Sequence, residues 1–306
     1  MFNPELKQRF MSEREGEAVL PNNYLQRQFN KAEAMETQLD KDISNFTFYE
    51  ILEFYKLYNT ASHQVLEVLN SQLSTYTQWC LQQNLVADGQ NHYLELRTED
   101  YLSCTNKAIR NAKIFSRETV LNWISDMPNP RDQFIILGLF EGIKGKDFCE
   151  LAKLRIKDVE GRIAHLCTGR DVEISEELAD IIYNCNLAQN YYSMSGGQDK
   201  VMPLINRGYI VKDYPNTLPD VSDFQRGRQI YNSVQRIMKH LNLFTMVSAN
   251  SIYESGKLDT IKRNAAKRKM TCSDYLYSDY SVEVKIQYNC NIVNKTYLAV
   301  YKDYLV

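Results

Sequence analysis

Lys144 stands two residues after a glycine, just beyond the apolar run FIILGLF, in the stretch GIKGKDFCELAKLRIKDV (142–159), where five of eighteen residues are basic. A lysine there can hold a phosphate oxygen as a point charge, and Arg155 in the same stretch can grip two oxygens through parallel hydrogen bonds. Further on, FQRGRQIYNSVQRIMKHLNLF puts Ile230, Val234, Ile237, Met238 and Leu241 on one arc of a helical wheel and Arg228, Arg236 and Lys239 on the other. Burying the first arc turns the cations outward, as an ordinary solvated face or as one that meets phosphates. The segment GKLDTIKRNAAKRKM carries Lys257, Lys262, Arg263, Lys267, Arg268 and Lys269 against one acid, Asp259, the strongest basic bias in the chain. Its charges spread around the wheel, which suits either solubilisation or a wrapped contact that releases phosphate counterions.

Other chemistries are excluded by what is missing. No Gly-rich phosphate loop, GxSxG elbow or HExxH pair occurs, the seven cysteines contain no CxxC, and none of the four histidines has a ligand at metal-binding spacing. The expectation is reduced thiols, no metal and no cofactor. Enzyme classes that rest on Arg, Lys, His or Tyr remain. Of 21 tyrosines, Tyr288, Tyr297, Tyr301 and Tyr304 lie near the end. Tyrosine can act as a nucleophile, but it more often packs with a polar tip, so spacing alone assigns none of them to catalysis.

The elements that must position these residues fall into two groups. Three helical segments are expected between Asn22 and Val86, with apolar stripes at Phe48, Ile51, Leu52, Phe54, Tyr55 and Tyr58, and at Val65, Leu66, Val68, Leu69, Leu73, Trp79 and Leu81. The Asp-Gly at 88–89 breaks the pattern, and 87–114 reads as connector. Ser116 caps the next helix, and Pro128 and Pro130 separate it from the apolar run. Alternation on both sides of Thr168-Gly169 predicts a β-hairpin, EELADIIYNCNLAQNYY (176–192) a helix, 193–224 a long irregular excursion, and Gln225 onward more helix. The domains are therefore 1–105, a linker at 106–115, and 116–306.

Charge divides along the same line. The net of −2 hides 8 Lys/Arg against 15 Asp/Glu in residues 1–100, a net of −7, leaving 28 against 23, or +5, in residues 101–306. The second part is the better candidate for an anionic partner. No run nears the ~18 apolar residues that span a bilayer, and the polar N-terminus is no signal peptide, so a cytoplasmic location is expected.

A helical module, a linker, then helix, FIILGLFEGIK, a Leu-Arg-x-x-Asp-Val segment and a hairpin together resemble the tyrosine recombinases, or phage integrases. The resemblance implies a mainly α fold with a small β-sheet, in which a helical core-binding domain and a catalytic-like α+β domain clamp DNA. Gly142-Ile143-Lys144 stands where the family has Gly-Leu-Arg, about one helical turn further than usual from Leu154-Arg155-Ile156-Lys157-Asp158-Val159. Thr168-Gly169-Arg170 replaces the lysine-bearing hairpin turn, Asn250 and Tyr253 replace the His-x-x-Arg pair, QYNCNIV (287–293) replaces a Gly-His pair, and Tyr297 and Tyr301 bracket the nucleophile. Four losses together imply a dead active site, hence no enzyme.

Over its whole length the chain is also similar to lysogeny-maintaining repressors of SP-beta-type phages, which implies binding to double-stranded operator DNA and silencing of lytic genes. The DNA-contacting residues implied are Lys144, Arg155, Arg170, Arg228, Arg236, Lys239, Lys262, Arg263, Lys267, Arg268 and Lys269. Two alternatives stay open: an active recombinase using Tyr297 or Tyr301, and an accessory protein that binds a recombinase or a regulatory peptide through its acidic first part.

Overall fold

Leu66, Leu69, Leu73, Tyr76 and Cys80 follow one another at alternating steps of three and four residues and are fully buried, and the first unit is built around this line. Val65 and Val68, expected on the same stripe, are 43% and 47% exposed. At 100° per residue they fall about a quarter turn off the line. The computed structural model describes residues 1–14, 22–193, 200–289 and 295–305, and it divides into two units, Met1–Asn111 and Ala112–Val306.

In the first unit, α1 (Pro4–Glu13), α2 (Asn22–Leu39), α3 (Phe48–Lys56) and α4 (His63–Gln82) enclose one core. The rings of Phe10 and Phe29 meet Tyr76 edge-on, with centroids 5.0 and 4.8 Å away. Helix α1 had no counterpart in the sequence reading. The connector expected over 87–114 is largely structured: α5 (Thr98–Ser103) and α6 (Lys107–Asn111) lie within it, and Tyr101 and Cys104 join the core. The stretch read as linker, 106–115, thus begins in a short helix held to the unit by Asn106 N–H donating to the Thr60 carbonyl at 2.7 Å.

The second unit surrounds one helix. After α7 (Arg117–Ser125), capped by Ser116 Oγ accepting from Thr119 N–H, comes α8 (Pro130–Phe140), whose residues 134–140 are all buried. A helix apolar on every side needs cover on every side. That cover comes from α7, α10 (Glu176–Leu187), α11 (Asp223–His240) and α12 (Ala249–Lys267). Helix α12 comes so near α8 that a Cβ on Gly256 would lie 1.6 Å from the Phe140 carbonyl oxygen. Between α8 and α10 lie a 3₁₀ turn at Lys146–Phe148, α9 (Cys149–Lys153) and an antiparallel sheet of β1 (Val159–Glu160), β2 (Ile163–His165) and β3 (Asp171–Glu173), with Ala164 opposite Val172.

Two expectations fail here. The helix over 176–192 stops at Leu187, because Asn190–Tyr192 forms strand β4, paired with β5 (Val201–Pro203). The excursion over 193–224 therefore contains a strand, and it is further tied down by bridges between Arg155 and Tyr209 and between Ile205 and Asp213. Residues 194–199 of it lie outside the described residues. Helices α13 (Cys272–Tyr277), α14 (Val282–Tyr288), α15 (Lys295–Val300) and α16 (Lys302–Leu305) complete a mainly helical fold with two small sheets. Among the described residues no helix is long and apolar enough to cross a membrane, and no His, Cys, Asp and Glu gather as metal ligands.

Candidate functional site

The chain turns at Gly142 with φ +96°, and a Cβ there would lie 2.3 Å from the Gln287 carbonyl oxygen, so only glycine fits. This turn delivers Lys144 to the start of α12. Lys144 Nζ donates to Asn250 Oδ1 at 2.7 Å and lies 4.9 Å from the centre of the Tyr253 ring. Lys144, aligned with the first arginine of the recombinase site, thus meets both Asn250 and Tyr253, the residues aligned separately with its histidine and second arginine. Burial holds the Lys144 ammonium below the usual lysine range; Glu254 opposes that shift and Lys257 adds to it. The Tyr253 hydroxyl donates to the Tyr288 carbonyl, which fixes its ring edge-on to Tyr288 at 5.2 Å. Lys257, counted among the basic residues of α12, is buried, pairs with Glu254 at 2.7 Å and faces the Tyr297 ring at 4.9 Å. Tyr297 in turn lies 4.8 Å from Tyr301, ring centre to ring centre. The Gly-His equivalent falls partly on residues 290–293, outside the described residues.

Lys144 is held from behind by a carboxylate that the sequence reading overlooked. Glu150 is fully buried and accepts from Lys144 N–H (2.9 Å), Thr168 Oγ (2.6 Å) and Arg170 Nε and Nη2 (2.7 and 2.5 Å). Burial acts to raise its pKa, but Arg170 and Thr168 outweigh that and hold the carboxyl below the usual range. Arg170 spends its other N–H groups on the carbonyls of Ile286 (2.9 Å), Gln287 (2.7 Å) and Gly142 (2.6 Å). All five of its donors are thereby used inside the protein. The expectation that Arg170 contacts DNA is corrected: it is a structural cross-link between the hairpin, Gly142 and α14. The signal for Glu150 was present, because a Glu-Leu pair follows Gly-Leu-Arg in the recombinases, as Glu150-Leu151 follows Gly142-Ile143-Lys144 here, although Cys149 departs from the Ser or Asp before that pair. It sits one turn late, after the inserted 3₁₀ turn in which Asp147 and Phe148 both take positive φ (51° and 63°).

On α11, Ile230, Val234, Ile237 and Met238 are buried while Arg228 and Lys239 are exposed, as the wheel requires. Arg236 is half-buried, donates to Tyr214 Oη at 3.1 Å and lies 5.2 Å from the Tyr191 ring. Arg155 donates to Tyr209 Oη at 3.3 Å and stacks on that ring at 4.9 Å. Both guanidinium groups are held in one orientation, which lowers the entropy lost when they meet an anion. Helix α11 packs against α9 and the 146–148 turn, so its N-terminal half adjoins the basic stretch that carries Lys144.

The remaining candidates separate. Lys262, Arg263, Lys267 and Lys269 are all exposed, and of these Arg263 and Lys267, with the half-buried Arg268, line a concave cleft that also holds carboxylates, Arg268 being paired to Glu283.

Comparison with known proteins gives the following. Residues 114–305 match the family described as MrpR, C-terminal catalytic domain, and residues 1–82 match MrpR, N-terminal core-binding domain. The SPbeta prophage-derived uncharacterized protein YopR of Bacillus subtilis (strain 168) is 23% identical over 304 residues, covering 94% of this chain and 91% of YopR. Among solved structures, the Tn1549 transposon integrase with circular intermediate DNA shares 13% identity over 97% of this chain and 94% of its own, with a TM-score of 0.45. A lambda integrase dimer bound to a COC′ core site shares 11% over 95% and 79%, with a TM-score of 0.42. XerA recombinase shares 16% over 98% of both chains, with a TM-score of 0.36.

Proposed function

This chain belongs to the MrpR family, and on that premise we propose that it is a sequence-specific DNA-binding repressor that maintains phage lysogeny by silencing lytic genes, on a recombinase-type scaffold that no longer cuts DNA. The observation that carries the reading is the group Lys144, Asn250 and Tyr253. Attack of a tyrosine on a phosphodiester gathers negative charge on the non-bridging oxygens, and paired guanidinium forks suit that charge. Here the same place offers one ammonium, one amide and one phenol already committed to a carbonyl. Such a group can bind a phosphate in its ground state. Each missing transition-state donor costs ~10²–10³ in rate, and two arginines and a histidine are replaced.

Lys144, Arg155, Arg228, Arg236 and Lys239, with Lys262 on α12 and Lys269 just beyond it, supply the backbone contacts, and the two stacked arginines set the protein's register on the duplex. The prophage relative supports the phage setting. A gel-shift titration in rising salt tests the reading. Affinity that falls with a log–log slope of about −0.9 per phosphate contact, and that differs between duplexes, supports it. A flat salt response, or equal affinity for every duplex, would count against it.

A further inference from the structure

A cleft of about 460 Å³ opens among α7, the β2–β3 hairpin, α12 and α14, lined by residues other than Lys144, Asn250 and Tyr253. Five cations reach it: Arg117, Arg162, Arg263, Lys267 and Arg268. Three are matched, Arg117 by Glu141 at 2.9 Å and Glu177 at 3.2 Å, Arg162 by Glu173 at 3.3 Å, and Arg268 by Glu283. Arg263 and Lys267, one turn apart on α12, have no ion pair or hydrogen-bond partner among the described residues. Asp259, a turn earlier on the same helix, forms no ion pair within 4.0 Å among the described residues, and burial raises its carboxyl above the ordinary range against the pull of Arg263, Arg117 and Lys262.

We propose that this cleft is a second binding site, for a small phosphate-bearing anion held by the Arg263 guanidinium and the Lys267 ammonium. The geometry favours a compact anion over the duplex. Glu141, Glu173 and Glu283 match Arg117, Arg162 and Arg268, so the cleft offers two unmatched cations, not the row of them that a polymer with one charge per ~1.7 Å of its axis meets. A single phosphate group meets only the two unmatched cations, a fork and a point charge side by side.

The cleft is also wired to the first site. Gln287 in its wall donates to the carbonyls of Glu141 (2.6 Å) and Glu173 (2.9 Å), and its own carbonyl accepts from Arg170 and packs on Gly142. An occupant that shifts Gln287 therefore shifts the turn that delivers Lys144. The binding claim stands by itself; only an effect on duplex affinity rests on the proposed function.

Isothermal titration of the full chain with inorganic pyrophosphate, in phosphate-free chloride buffer, tests the site. Saturable binding is expected, weakened about tenfold or more by Arg263→Ala and by Lys267→Ala, the loss of one charge-assisted contact each. Thermal midpoints of both variants without ligand check that they fold. No saturable binding, or binding that both variants retain, overturns the proposal. A loss of duplex affinity in these two variants as large as that in Lys144→Ala also overturns it, because the cations would then be DNA contacts.

Discussion

Replacing Arg170, whose side chain is only 11% exposed, by methionine should destabilise the second unit far more than the loss of a surface arginine would. The substitution keeps the aliphatic stem but leaves the fully buried Glu150 with only Thr168 Oγ and Lys144 N–H as donors, and strips a donor from three backbone carbonyls. Removing one partner of a buried ion pair costs ~3–5 kcal/mol, because the other charge stays desolvated. In a unit of this size each kcal/mol lowers Tm by roughly 2–4 °C. Calorimetry should therefore show a transition lowered by well over 5 °C, with Glu150→Gln in the Arg170→Met background recovering part of the loss because the unpaired charge is gone. The pH profile follows the same logic. Glu150's folded pKa is depressed, so its contribution is complete above the unfolded carboxylate pKa of ~4.3 and fades as pH falls through the lower folded value. The variant should lose that part of the acid dependence. An Arg170→Met unfolding free energy within 1 kcal/mol of the parent (the scale of an exposed pair) would refute the reasoning.

Lys144→Ala should weaken duplex binding and make the salt slope shallower by about 0.9, one phosphate contact, whereas Lys144→Arg should keep affinity without restoring cleavage, both read by gel shift. Gly142→Ala forces a Cβ to 2.3 Å from the Gln287 carbonyl at positive φ, and chemical denaturation should show a loss of ~1–3 kcal/mol or more. Arg236→Lys keeps the charge but loses the fork fixed by Tyr214 and Tyr191, so affinity for a bound duplex should fall several-fold while affinity for random duplex falls less. In the first unit, Leu73→Ala opens a cavity in a fully buried position and should cost ~2–5 kcal/mol by denaturant melt.

Local periodicity made much of this molecule legible. The buried arc of α11, the hairpin around Thr168-Gly169 and the stripe of α4 all follow from side-chain spacing, and only the edge positions Val65 and Val68 were misplaced. Periodicity gives each helix its face but does not say which faces meet. That Lys144 touches Asn250 and Tyr253, 106 and 109 residues away, was reachable only through the resemblance to recombinases. Arg170 was misassigned because its acceptors are main-chain carbonyls 116 and 117 residues distant, which carry no sequence signal. Lys257 looked like one more surface charge because its pairing with Glu254 is visible in sequence but the Tyr297 ring above it is not. The strand at Asn190–Tyr192 was read as helix because the apolar spacing of α10 runs on without a break, while the pairing with Val201–Pro203 that ends it is non-local.

The central claim is that the chain holds a specific duplex without breaking it. A labelled duplex carrying a bound site, with a nick placed to trap any covalent intermediate, can be incubated with the protein and split between a native and a denaturing gel. The account predicts a shifted band in the native gel and free DNA in the denaturing one. A protein–DNA band that survives denaturation and disappears in Tyr297→Phe or Tyr301→Phe would contradict it.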